Sequence, residues 1–275
     1  MPLIFKFVLS HKKNFSLFCI VLSLYGCGTM KSGRGWGEDV TPWPGLDRIK
    51  HAAVEAAKDT YTWVPAASAA LVWAGGWDHS ISDWASERTP VFGSRFNALE
   101  MSDTLRRVSF VSLYASVLVT PSGDTLAEII PAKLKGAALT VIATSLTGGM
   151  TSVLKRATLR ERPDGSDRHS FPSGHSSTSF VAMGLAQENI EVIPINNYLK
   201  KTMDYGLLAA SAGTAWARVE SKVHYPTDVL AGAALGNFMA RFFYKAFLGT
   251  ETESKVTVWP LWDHKLFQLG FSVDF

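Results

Sequence analysis

The sequence is short of cysteine, of net charge and of long apolar runs. Its 275 residues hold two cysteines, Cys19 and Cys27. Cys19 falls in an N-terminal export-type segment, so no disulfide framework can hold the fold. Residues 1–26 contain Lys6, Lys12 and Lys13 and no acid; the rest carries 24 basic and 24 acidic residues. A chain of zero net charge leaves no footprint for nucleic acid, and any positive site must come from local clustering. The apolar stretches 108–119, 137–146 and 207–217 each fall short of the ~20 residues that a spanning helix needs. Mean hydropathy is +0.09. A soluble or surface-bound body is therefore the first expectation, with a compact membrane-embedded bundle as the alternative. No repeat of 20–50 residues is visible, and no cluster of metal ligands either.

What is present begins with an export signal. A basic region ends at Lys12-Lys13, an apolar run covers Phe15 to Tyr25, and Gly26-Cys27-Gly28 follows. Leu24-Tyr25-Gly26-Cys27 resembles the bacterial lipoprotein box, which implies removal of residues 1–26 and lipidation of Cys27. Gly28 after the cysteine resembles the pattern of lipoproteins sent on to the outer membrane. A plain membrane anchor and a simple signal peptide are the other two readings. Residues 27–45 are rich in Gly, Pro and Ser and read as a tether.

Helical patterning runs from residue 46 to about 250 and defines one domain. A helix opens at Leu46. Val64 to Gly75 reads as a buried helix and Asp78 to Trp84 as a short amphipathic one. Asp103 can cap a helix to about Val119. Thr125 to Ile130 reads as a short helix stopped by Pro131, and Ala132 to about Leu159 as the longest helix. Ser173–Asn189, Met203–Val219 and Thr227–Leu248 complete the set. Six of the nine tryptophans lie between Trp36 and Trp84. They fit either core packing, the first expectation, or a belt at lipid headgroups. In the tail, residues 251–275, apolar residues alternate from Phe267 to Phe275, which predicts a short β-hairpin docked on the bundle.

Three segments carry chemistry. In the first, Lys155 precedes Arg162-Pro163. Pro163 biases Arg162 to an extended conformation, so Arg162 leaves the helix and can turn back beside Lys155. An ammonium and a guanidinium fork suit phosphate oxygens, although a cation pair at a helix end is by itself an ordinary solvated surface. In the second, Pro172-Ser173-Gly174-His175 opens a helix. Ser173 is an N-cap, and a helix N-terminus with a glycine at its first turn is a ready anion site. In the third, Arg218, His224 and Asp228 lie around Pro226. Asp228, four residues after His224, can hold one ring nitrogen and leave the other as a nucleophile. An Asp capping a helix beside an incidental His is the bland reading of that pair.

Taken in this order and spacing, the segments resemble the type 2 phosphatidic acid phosphatase / vanadium haloperoxidase superfamily. Its signature is K-x6-R-P, then P-S-G-H, then S-R-x5-H-x3-D. One position departs: Ala217 stands where the family usually has Ser, which puts one hydrogen bond beside Arg218 in doubt. The resemblance covers Lys155 to Asp228, about a quarter of the chain, and implies an all-α helical bundle. It implies that His224 attacks phosphorus, that Asp228 orients His224, and that His175 protonates the leaving oxygen. Lys155, Arg162, Ser173, Gly174 and Arg218 would bind the phosphoryl oxygens. No metal is implied; vanadate would inhibit, and serves as cofactor only in the haloperoxidases. The expected enzyme is a periplasmic, metal-independent phosphatase in a Gram-negative envelope, acting on a phosphomonoester or a lipid (di)phosphate. Broad action on soluble esters, a vanadate-dependent peroxidase and a non-catalytic envelope lipoprotein are the alternatives. The histidine pair argues against the last.

Overall fold

The computed structural model describes residues 27–249 and two strands, 256–263 and 266–273. The signal-peptide expectation, residues 1–26, lies outside the described residues. Among those described there are eight α-helices: α1 (Leu46–Lys58), α2 (Thr60–Ala74), α3 (Asp78–Arg88), α4 (Arg95–Val119), α5 (Leu126–Thr158), α6 (Gly174–Val192), α7 (Asn197–Glu220) and α8 (Pro226–Phe243). A π-helical turn, Tyr244–Leu248, extends α8. The all-α bundle expected from the sequence is the observed architecture.

Helix α6 is the central post, buried from Ser179 to Ile190 without a break. Small residues let its neighbours close on it. A Cβ placed on Gly236 of α8 would lie 2.2 Å from the Ser177 carbonyl oxygen. Any larger residue there would force α8 away from α6. Buried hydroxyls satisfy one another across the seam with α4 and α7: Ser109 Oγ is 2.9 Å from Ser179 Oγ, which donates to Ser211 Oγ at 3.1 Å. α5 ends, α6 begins, α7 ends and α8 begins at the same end of the bundle. There the Ser173 amide donates to the Asp228 carbonyl at 2.9 Å and the His224 amide to the Arg218 carbonyl at 3.1 Å.

The structure corrects several expectations. Residues 27–45 are not a loose tether. Gly28 and Gly123 exchange two backbone hydrogen bonds of 2.8 Å at the α4–α5 turn. Trp36 is wholly buried, its indole N–H donating to the Tyr244 hydroxyl at 3.2 Å. Its glycines made the segment look flexible, but here they permit close approach: a Cβ on Gly35 would lie 2.4 Å from the Ser122 carbonyl oxygen, and one on Gly37 2.2 Å from that of Ala132. Pro131 does not stop a helix. It lies in the second turn of α5, where it removes one i→i−4 hydrogen bond without ending the helix. α4 starts at Arg95 with Ser94 as its cap, so Asp103 is an interior residue.

The expected burial of Val64–Gly75 fails. Leu71 and Trp73 of α2 are 67% and 75% exposed, and Thr62 is the one buried residue of that helix. In the first third only Trp36 is a core tryptophan; Trp43, Trp63, Trp73, Trp77 and Trp84 are exposed. Apolar residues of α5, among them Leu134, Ile142, Leu146 and Val153, also face outward. Running through Pro131 makes α5 long and apolar enough to cross a membrane, by length and composition. The tail forms a hairpin, β1 (Val256–Asp263) and β2 (Leu266–Val273), antiparallel with Val256 opposite Val273. The strands pair with each other, and no substantial packing on a helix is found among the described residues.

Candidate active site

The three segments meet at one end of the bundle. Lys155 stands on the last turn of α5, and its ammonium donates to the His169 carbonyl and, at 3.4 Å, to that of Ser170. Its Cε would lie 4.0 Å from a Cβ on Gly174, so the face of Gly174 is open toward Lys155. Arg162 leaves the helix as expected. Its Nε donates to Asp167 Oδ1 at 2.8 Å. Ser173 caps α6, its Oγ accepting from the Ser176 amide at 3.4 Å. Arg218 is 7% exposed; one Nη donates to Ser102 Oγ at 3.2 Å, and its Nε is buried without a partner. Ser102 on α4 thus supplies a contact to Arg218, while Ala217 is fully buried.

His224 sits in the short link between α7 and α8 and is 2% exposed. Its Nδ1 is 3.5 Å from Asp228 Oδ2 and 3.5 Å from Ser170 Oγ. The hydrogen-bonding groups lie on the Nδ1 side, which leaves Nε2 for chemistry. Burial pushes the His224 imidazole down to about 4, against the opposing pull of Asp228. Burial would raise the Asp228 carboxyl, but hydrogen bonding with His224, the Arg160 charge and the Ser170 hydroxyl outweigh it and hold the group below its ordinary range. His175, in the first turn of α6, places Nε2 2.8 Å from Asp103 Oδ1. Burial and the Arg218 charge bring His175 to about 4 despite that carboxylate. Arg218 itself is pushed down to about 10 by burial and the like charge of Arg162. It stays cationic, and an anion among Lys155, Arg162 and Arg218 would relieve the repulsion.

Several residues escaped the sequence reading. Asp103 looked like a helix cap. Ser170, two residues before Pro172, donates to Asp228 Oδ2 at 2.5 Å. Arg160, hidden in the six-residue gap between Lys155 and Arg162, donates to Asp228 Oδ1 at 2.7 Å and to Asp78 Oδ2 at 2.7 Å. Arg160 was findable as one of two further arginines, with Arg156, in the first segment; Asp78 and Asp103 had no local signal. Cys27 is exposed at the other end of the bundle, beside the α4–α5 turn. Among the described residues no group of three or more His, Cys, Asp or Glu side chains could hold a metal ion.

The chain is 31% identical over 102 residues to lipid A 1-phosphatase of Porphyromonas gingivalis, covering 36% of this chain and 21% of that protein. It is 34% identical over 79 residues to diacylglycerol pyrophosphate phosphatase 1 of Saccharomyces cerevisiae, covering 27% of each. The chain thus spans about a quarter of the length of these curated relatives. A transmembrane PAP2-type phosphatidylglycerolphosphate phosphatase from Bacillus subtilis superposes with a TM-score of 0.49 at 20% identity, covering 67% of this chain and 92% of that one. Residues 136–250, which contain all three segments, match the family described as the PAP2 superfamily.

Proposed function

We propose that this protein hydrolyses the phosphate of a lipid phosphate ester at an envelope membrane, through a phosphohistidine and without a metal ion. One observation carries the reading. His224, backed by Asp228, lies in the field of Arg218 and Lys155, Arg162 acts in turn on Arg218, and the buried Nε of Arg218 has no protein partner. The cations and the Gly174 amide would hold the phosphoryl oxygens, stabilising charge that builds as the P–O bond breaks. His224 Nε2 attacks phosphorus, and the bond to the leaving oxygen breaks. That oxygen takes its proton from His175. Water then attacks the phosphohistidine, giving its proton to His175, and the P–N bond breaks to release phosphate.

The lipid is supported by two further facts. The curated relatives carry lipid phosphates in their names. A cavity of about 760 Å³ opens between α2 and α8, walled by Ala66, Ala70, Trp73, Ala231 and Ala234, with Arg160 and Thr227 on its polar side. An apolar cavity beside the groups that hold Asp228 suits an acyl chain. The outward apolar side chains of α2 and α5 would contact the bilayer, and Trp73, Trp77 and Trp84, at the site's end of the bundle, would lie among headgroups. In the same reading Cys27 is lipidated and the site faces the periplasm. The anchor does not itself bring the site to a membrane surface. Cys27 lies near the start of α5 and Lys155 on its last turn, roughly 40 Å apart at 1.5 Å per residue.

The test is a phosphate-release panel setting phosphatidic acid and diacylglycerol pyrophosphate in mixed micelles against soluble esters. Purified wild type should favour the lipids, and His224→Ala should release no phosphate while keeping its helical content. Near-normal turnover by His224→Ala would sink the mechanism. A preference for soluble esters would leave the mechanism and remove the lipid.

A further inference from the structure

We propose that Arg160, itself held by Asp78, is a positioning residue for the reaction: it fixes the Asp228 carboxylate and through it the ring of His224. This rests on the phosphohistidine reading above. Asp228 is fully buried and four groups compete for its two oxygens. Oδ2 receives the Ser170 hydroxyl at 2.5 Å and the Tyr225 amide at 2.8 Å, with His224 Nδ1 at 3.5 Å. Oδ1 receives Arg160 Nη1 at 2.7 Å. A carboxylate gripped from one side only could turn about its Cβ–Cγ bond and present either oxygen to His224. The Arg160 contact on Oδ1 removes that freedom, so Oδ2 faces the imidazole.

Arg160 is in turn fixed from three sides. Its other Nη donates to Asp78 Oδ2 at 2.7 Å, Nη1 also reaches Thr227 Oγ1 at 2.6 Å, and its guanidinium carbon stacks 4.3 Å from the Tyr225 ring centre. Asp78, in the first turn of α3, accepts the Thr227 amide at 3.0 Å and the Thr227 hydroxyl at 2.6 Å. A carboxylate, a guanidinium and a second carboxylate thus run in line from α3 to the start of α8. The charges fit the chemistry. Before attack, two buried carboxylates share one cation. Once His224 carries a phosphoryl group and a proton on Nδ1, the imidazolium supplies the second positive charge. The pair Asp78–Arg160 leaves Asp228 short of one countercharge, which the imidazolium of the phosphorylated state provides. A lysine would lose this arrangement, since its single ammonium cannot bridge two carboxylates in a plane.

The Arg160 side chain is 27% exposed and lines the cavity between α2 and α8, so truncation opens a space that a small cation can enter. The experiment compares wild type, Arg160→Ala, Arg160→Lys, Asp78→Asn and His224→Ala with p-nitrophenyl phosphate, whose good leaving group removes the demand on His175. Arg160→Ala should lose about 10- to 100-fold in kcat, the worth of one buried charged hydrogen bond, with KM within threefold of wild type. The acid limb of its kcat profile should move to higher pH, because Asp228 loses a cation. Millimolar guanidinium should restore part of the rate to Arg160→Ala and none to Arg160→Lys. Asp78→Asn should show a smaller loss of the same kind. A kcat within threefold of wild type, a change confined to KM, or a loss with an unmoved acid limb and no rescue would each overturn the assignment. If His224→Ala is active, the phosphohistidine reading itself falls. If His224→Ala is dead and Arg160→Ala is normal, only the role of Arg160 falls.

Discussion

His175 Nε2 lies 2.8 Å from Asp103 Oδ1, a contact between the first turn of α6 and the interior of α4, 72 residues apart in the chain. The bond fixes the ring of the proposed general acid and supports its protonated form, against burial and Arg218. Asp103→Asn should therefore slow release of poor leaving groups, such as a glycerol hydroxyl, by about tenfold or more. It should leave p-nitrophenol release nearly unchanged. His175→Ala should show the same contrast more strongly, with roughly a 10²–10⁴-fold loss on poor leaving groups. Parallel steady-state kinetics on the two substrates checks this; equal losses on both would remove His175 from acid catalysis.

Anion binding should be linked to proton uptake. His175 and His224 are brought to about 4 in the empty site. A dianion there favours the charged rings and raises both values. Sulfate stays a dianion through this range, so its affinity should rise as pH falls from 6.5 toward 5. Titration calorimetry at pH 5.5 in buffers of different ionisation heat should show net uptake. The same depression sets the sign for stability. The unfolded chain protonates these histidines below their ordinary 6.5 while the native site stays neutral down to about 4. Native stability is lost as pH falls through that window, and thermal melts at pH 7, 6 and 5 should decline in that order.

Activity should survive EDTA, because Lys155, Arg162 and Arg218 supply the positive charge that a metal would otherwise bring. Orthovanadate should inhibit competitively, its five-coordinate form resembling the transferring phosphoryl group. Loss of activity in EDTA with rescue by Mg²⁺ or Zn²⁺ would point to another mechanism.

Membrane association should outlast the loss of Cys27. A chain with a cleavable ordinary signal and Cys27→Ser lacks the lipid but keeps the outward faces of α2 and α5. It should still sediment with membranes and need detergent for release. Recovery in the soluble fraction, with full activity on small esters, would assign membrane binding to the acyl chains alone.

The packed segment ahead of α1 makes a separate prediction. Trp36→Ala removes a fully buried indole and the hydrogen bond to Tyr244, and should cost about 3–5 kcal/mol. The melting temperature should fall with kcat unchanged below the transition, because the site is at the other end. An unchanged melt would return residues 27–45 to a loose tether.

The sequence by itself determined the helical class and picked out the three segments that the fold brings to one end of the bundle. These rest on short-range chemistry. Helical period, a serine cap before Gly174, a proline after Arg162 and the four-residue step from His224 to Asp228 are all local, so composition and spacing reveal them. Only the tertiary structure decided which side chains stand behind that set. Asp103 reaches His175 and Asp78 reaches Arg160 across 72 and 82 residues, and no periodicity records a contact between separate helices. It also decided which apolar residues are buried. Leu71, Trp73 and Ile142 look like core residues by type, yet they point outward. The type of an apolar residue does not say whether it is packed inside or left on the surface, and only the packing of neighbours decides that.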